Sequence, residues 1–232
     1  ANILNEGAIL AARAGRTEIT MADLEEASEK VQMGPEKRSK VIADIDKKIT
    51  AYHEAGHAVV NYMQGGETKV HKITMIPRGP AGGYTMPLPA EERMYHSKKQ
   101  FLDEMSELYG GRAAEEIIFG KEYITTGASS DIQRATAIAR YIVTQIGMDE
   151  KFGPILLDGT QDGDMFQRKY YSEQTGKEID DEIRRLVKER YQKAIDILNE
   201  NRNKLEEVTR VLLEKETIMG PEFEAIMADK NI

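Results

Sequence analysis

Apolar positions recur at helical spacing over most of the chain and at strand spacing in one short stretch. Residues 2–14 place Ile3, Leu4, Ile9, Leu10 and Ala14 on one face, and Gly15-Arg16 ends the pattern. Thr20, with Asp23 three positions on, is a capping box and predicts a second helix through Ala22, Leu24, Ala27 and Val31. Gly34-Pro35 breaks that helix and predicts a domain boundary. Helical spacing returns from Glu36, first in a charged run and then with Ile49, Tyr52, Gly56, Val59, Val60 and Met63 on one side, until Gly65-Gly66. Residues 70–76 alternate as a strand that Pro77 ends. Residues 78–83 form a Gly/Pro loop, and Tyr84-Thr85-Met86 reads as a second short strand, giving a hairpin with a long loop. Pro87 and Pro89 exclude regular pairing beyond it, which suits an edge.

Further helices follow. Ser97 with Gln100 caps one whose stripe is Phe101, Leu102, Met105 and Leu108, and Gly110-Gly111 kinks or breaks it. The pattern resumes over 112–119 and Gly120 closes it. After a polar loop, Ser130 with Gln133 reads as another capping box, opening a helix to about Ile146 with Asp131 at its first position. Residues 147–164 are irregular, with an apolar run at Ile155-Leu156-Leu157. Residues 176–201 read as one long charged helix turning Ile179, Ile183, Leu186, Val187, Ala194, Ile195 and Leu198 inward. Helices over 205–213 and 221–227 complete a mainly α fold with a small β-hairpin. Two helices bury little of their own surface, so residues 1–33 are expected to belong to a neighbouring domain that is mostly missing.

Composition narrows the picture. A chain of 232 residues supports one or two domains with a real core. A formal net charge of −8 leaves no broad basic footprint for nucleic acid. No stretch approaches the twenty or so apolar residues of a membrane span, and no signal peptide is visible, so this stretch is expected to be soluble. There is no cysteine, so any zinc must be held by histidine and carboxylate.

The chemistry gathers at His53-Glu54-Ala55-Gly56-His57, an H-E-x-x-H pattern. On a helix, His53 and His57 stand one turn apart on one face, where two imidazoles can share a metal. Glu54 is next round the helix and can act as general base on an activated water without binding the metal. Gly56 costs about 1 kcal/mol relative to Ala in a helix, but it lets another element approach closely. A catalytic zinc takes three protein ligands, so one is missing. His71 and His96 read as ordinary polar histidines. Glu115 on a downstream helix is one candidate, and its other role is to orient a ligand histidine. Asp131 is the second, since the start of a helix favours an ionised carboxylate. The residues alone leave both open.

The HEAGHA run, the stretch from Tyr109 to Glu116, and Thr125 to Asp131 together resemble the peptidase domain of the FtsH family of membrane-anchored AAA+ zinc metalloproteases. The resemblance runs the whole length of the chain. It implies that residues 1–33 are the C-terminal part of an AAA+ helical lid, 34–48 a linker with the start of the peptidase helix, and 49–232 the zinc metallopeptidase domain. It implies one Zn²⁺ per chain on His53, His57 and Asp131, with Glu54 catalytic and Glu115 behind the ligands. It further implies homo-hexamers, unfolded polypeptide substrates, ATP in the full-length protein only, and a membrane attachment through N-terminal segments this chain lacks. The implied location is the cytoplasmic face of the bacterial inner membrane, or the matrix or stroma side in an organelle. Gly82, Gly83 and Tyr84 offer a sheet edge along which an extended substrate can pair. The alternative function is a non-enzymatic helical zinc-binding assembly module.

Overall fold

Helix α3, Asp44–Met63, runs through the middle of the molecule. Its segment from His53 to Asn61 is buried without interruption, so this helix is enclosed rather than amphipathic. A computed structural model describes residues 2–37, 42–65, 67–79, 81–91, 94–157 and 171–228. Before α3 come α1 (Asn2–Arg13) and α2 (Met21–Met33). After it come β1 (Thr68–Thr74), β2 (Tyr84–Pro89), α4 (Lys98–Leu108), α5 (Gly110–Phe119) and α6 (Ser129–Thr144). The chain continues through α7 (Glu173–Glu200), α8 (Arg202–Lys215), β3 (Thr217–Met219) and α9 (Gly220–Ala228).

Around α3 pack α5, α8, β1, α4, α7 and β2. The closest approach is to α5. A Cβ on Gly56 would stand 2.4 Å from the carbonyl oxygen of Gly110, and one on Gly110 would stand 2.6 Å from that of Gly56. The two helices therefore touch backbone to backbone, and that contact explains a glycine inside a buried helix. Ala55, Val59 and Val60 share a core with Ile73, Leu198, Leu205, Leu212 and Ile218. A second cluster joins Met105 of α4, Ile142 of α6, and Ile179, Ile183 and Leu186 of α7.

Several boundaries depart from the sequence reading. The helix that bears the motif starts at Asp44, not near Glu36; Glu36 instead forms an isolated bridge with Arg78. Part of the intervening charged run, 38–41, lies outside the described residues, as do Gly66, Pro80 and 158–170. Strand β1 is set two residues earlier than expected. Strand β2 continues to Pro89, with Pro87 opposite Val70 and Pro89 opposite Thr68. It tolerates both prolines because it is an edge strand beside an irregularity between Val70 and Lys72. The hairpin is also not alone: β3 pairs antiparallel with the other side of β1, giving the order β2-β1-β3. Helix α6 begins at Ser129 behind Ala128, which makes no side-chain cap, so the Ser130–Gln133 box does not form. Asp131 is the third residue of α6, still within its first turn.

The expected Gly/Pro loop holds a fully buried arginine. Arg78 Nη2 contacts Glu26 at 2.5 Å, Glu36 at 3.0 Å and Glu29 at 3.1 Å. Glu29 also accepts from Lys72 Nζ at 2.9 Å and from the Tyr84 hydroxyl at 2.5 Å. Helix α2 is thus tied to the sheet by buried ions.

Candidate metal centre and active site

Two elements bring the three donors together. His53 and His57 come from the enclosed middle of α3, and Asp131 from the first turn of α6. His53 Nε2 and His57 Nε2 are 3.1 Å apart, and Asp131 Oδ2 lies 3.4 Å from the first and 3.7 Å from the second. Donors about 2.0–2.2 Å from one tetrahedral ion would be about 3.3–3.6 Å apart, so this triangle is zinc-sized. Among the described residues these three form the one cluster able to hold a metal. His71 and His96 are not part of it; His96 packs against Phe101.

The other ring nitrogens are occupied. His53 Nδ1 bonds Glu115 Oε1 at 2.7 Å, and the second oxygen of that carboxylate accepts the backbone N–H of Thr125 at 2.7 Å. His57 Nδ1 bonds the carbonyl oxygen of Glu107 at 2.8 Å. With Nδ1 engaged in this way, both Nε2 atoms are turned toward Asp131. Glu115 stands on the far side of His53 from the triangle. Helix α5 closes the back of the site: a Cβ on Gly111 would lie 2.5 Å from His53 Nε2 and 2.6 Å from His57 Nε2. The space against the donors is kept clear by the absence of a side chain.

The electrostatics also ask for a cation. Burial lowers the proton affinity of His53, but Asp131 and Glu115 outweigh it and hold the ring protonated. Burial, and then the charge on His53, pushes His57 the other way. Two histidines pushed in opposite directions beside two carboxylates make a setting in which a divalent cation would be well placed. Asp131 and Glu115 remain carboxylates: burial opposes this, and the His53 bonds prevail. The donor set, its spacing and its charge fit Zn²⁺.

Glu54 is buried, and burial pushes its carboxyl up to about 7. It lines the same cleft of about 1090 Å³ as the three donors. Strand β2 forms another wall. Gly83 is pressed onto the fold, since a Cβ there would meet the carbonyl oxygen of Thr74 at 2.7 Å; at Gly82 the nearest atom would be 3.7 Å away. The Tyr84 phenol is committed to Glu29. Sequence reasoning missed Glu107 and Thr125. Both act through main-chain atoms and lie far along the chain from the motif, so no spacing rule marks them.

Curated relatives bear on these observations. The "ATP-dependent zinc metalloprotease FtsH 1" of Thermoanaerobacter sp. is 48% identical, over 100% of this chain and 38% of its own length. FtsH of Bacillus subtilis is 46% identical over 94% of the chain and 35% of itself, and that of Thermus thermophilus 45% over 97% and 36%. The chain thus spans little more than a third of these relatives. The description of peptidase family M41 matches residues 40–226, and the chain belongs to that family.

Proposed function

We propose that this chain is a zinc-dependent endopeptidase in which His53, His57 and Asp131 hold the metal and Glu54 is the general base. The observation that carries this is the zinc-sized donor triangle opening into a cleft that also receives the Glu54 carboxylate. Bound zinc supplies Lewis acidity, lowering the pKa of a water toward about 7 and drawing charge from a peptide carbonyl. Glu54 takes the proton of the attacking water and delivers it to the leaving amine. Its burial favours that role, because a carboxyl near neutrality both accepts and returns a proton. Glu115 and the Glu107 carbonyl orient the histidines. An extended substrate pairs along the outer edge of β2, where no strand lies among the described residues.

The test is Glu54→Gln. Peptide hydrolysis should vanish while zinc content stays near one per chain; equal loss of zinc in Glu54→Gln and His57→Ala would sink the assignment. A zinc-loaded wild-type chain that cleaves nothing would favour the assembly module instead.

Further properties rest on the resemblance and on the relatives' names. Residues 1–33 we assign to an AAA+ lid, 34–48 to a linker with the start of the peptidase helix, and 49–232 to the peptidase; α1 packing on α2 and the family match beginning at residue 40 support that division. The sequence contains no Walker A pattern, so short-peptide cleavage by this chain should not respond to ATP. Unfolded polypeptides are the proposed substrates. Ring assembly into hexamers is checked by light scattering at micromolar concentration, where a monomer alone would contradict it. No helix among the described residues is long and apolar enough to cross a membrane. Attachment there, on the cytoplasmic face, is proposed for the longer protein.

A further inference from the structure

Strand β2 starts directly over the motif helix. A Cβ on Gly83 would stand 2.9 Å from Thr50 Cγ2 and 3.1 Å from Glu54 Cγ, so the strand enters as closely as backbone permits. Side chains then alternate. Tyr84 turns to Glu29 at the α2 junction, and Thr85 turns to α3. Thr85 Oγ1 lies 2.9 Å from Glu54 Oε2 and 3.0 Å from the Glu54 carbonyl oxygen. Both oxygens accept, so the single hydroxyl hydrogen serves one or the other, or is shared. Among the described residues, Thr85 is the one hydrogen-bond partner of the Glu54 carboxylate.

We propose that Thr85 is a positioning residue for Glu54. Its hydroxyl holds one carboxylate oxygen, leaving the other to face the cleft. A glutamate side chain has three rotatable bonds, and an unrestrained one spends much of its time out of reach of a reacting atom. The same bond ties the base to β2, the strand whose free edge borders the cleft. A peptide pairing with that edge stiffens the strand that carries Thr85, so docking and base alignment are linked. This inference rests on the reading of Glu54 as general base.

The experiment compares Thr85→Val, which keeps the shape and loses the hydroxyl, with Thr85→Ser, which keeps the hydroxyl. Both should bind zinc as the wild type does. For a short unstructured peptide, Thr85→Val should lower kcat about 10–100-fold with KM little changed, and Thr85→Ser should restore most of it. Crystals of the metal-free proteins give a readout without turnover: the Glu54 carboxylate should be displaced or spread over rotamers in Thr85→Val and in place in Thr85→Ser. In a Glu54→Gln background, Thr85→Val should lower the residual rate no further. Wild-type kcat in Thr85→Val, a serine variant as impaired as the valine one, an undisturbed Glu54, or losses that simply multiply would each overturn the proposal. Full activity in Glu54→Gln would instead overturn the base assignment beneath it.

Discussion

At the scale of single residues, the contest between Asp131 and Glu115 turns on which ring nitrogen each faces. Asp131 Oδ2 faces the two Nε2 atoms, and Glu115 Oε1 faces His53 Nδ1. In a zinc-bound crystal structure an Asp131 oxygen should lie about 2.0–2.2 Å from the ion with Glu115 outside that shell. Asp131→Asn should lose zinc, since a neutral amide is a poor donor, whereas Glu115→Gln should weaken it by about 10–100-fold and remain loadable. Gly111→Ala gives a separate check: its methyl would press on both donor nitrogens, so zinc binding should fail in a folded protein, read by metal analysis beside circular dichroism. The placement of His53, His57 and Glu54 was legible because an i, i+4 pattern on one helix fixes their geometry. Asp131 and Glu115 were legible as candidates only. Choosing between them needs the direction in which an imidazole points, which spacing along the chain does not carry.

Among elements, the junction between α2 and the sheet has its own chemistry. Arg78 is fully buried and surrounded by Glu26, Glu29 and Glu36. Removing one member of such a cluster strands the rest, at a cost of about 3–5 kcal/mol. Arg78→Met should therefore speed hydrogen exchange in residues 2–33 far more than in α3. The junction is also acid-sensitive. Burial raises the Glu29 pKa, but Tyr84 and Lys72 overcome this and hold it below the ordinary value. A depressed folded pKa stabilises above the unfolded value, about 4.3 for glutamate, and that stability fades as pH falls through the folded value. Exchange in α2 should then rise on acidification below about pH 4, and Glu29→Gln should flatten that response. None of this was legible. A Gly/Pro-rich stretch says loop, and nothing local marks an arginine that three distant carboxylates will bury. Strand β3 was hidden for a similar reason, since three residues between two helices gain strand geometry only from β1.

For the molecule as a whole, the order of the helices among the described residues was legible because apolar spacing of 3.6 survives whatever the helices pack against. What packs against α3 was not, save for the hint from Gly56. The donor triangle is built across that packing. It joins the buried middle of α3 to the start of α6, while α5 closes the back through Gly111 and orients His53 through Glu115. The unfolded chain has no such arrangement, so binding zinc should stabilise the fold. Ligand present at about 100 times its Kd contributes about 2.7 kcal/mol. The metal-free protein, with its three donors facing one another and no ion between them, should melt several degrees lower, and adding zinc should restore Tm. His57→Ala should abolish that restoration because a donor is gone. Glu54→Gln should keep it, because Glu54 is not part of the donor triangle. Calorimetry on the three proteins, with and without zinc, separates holding the metal from using it. A zinc-dependent rise in Tm that survives His57→Ala would mean the ion binds somewhere else.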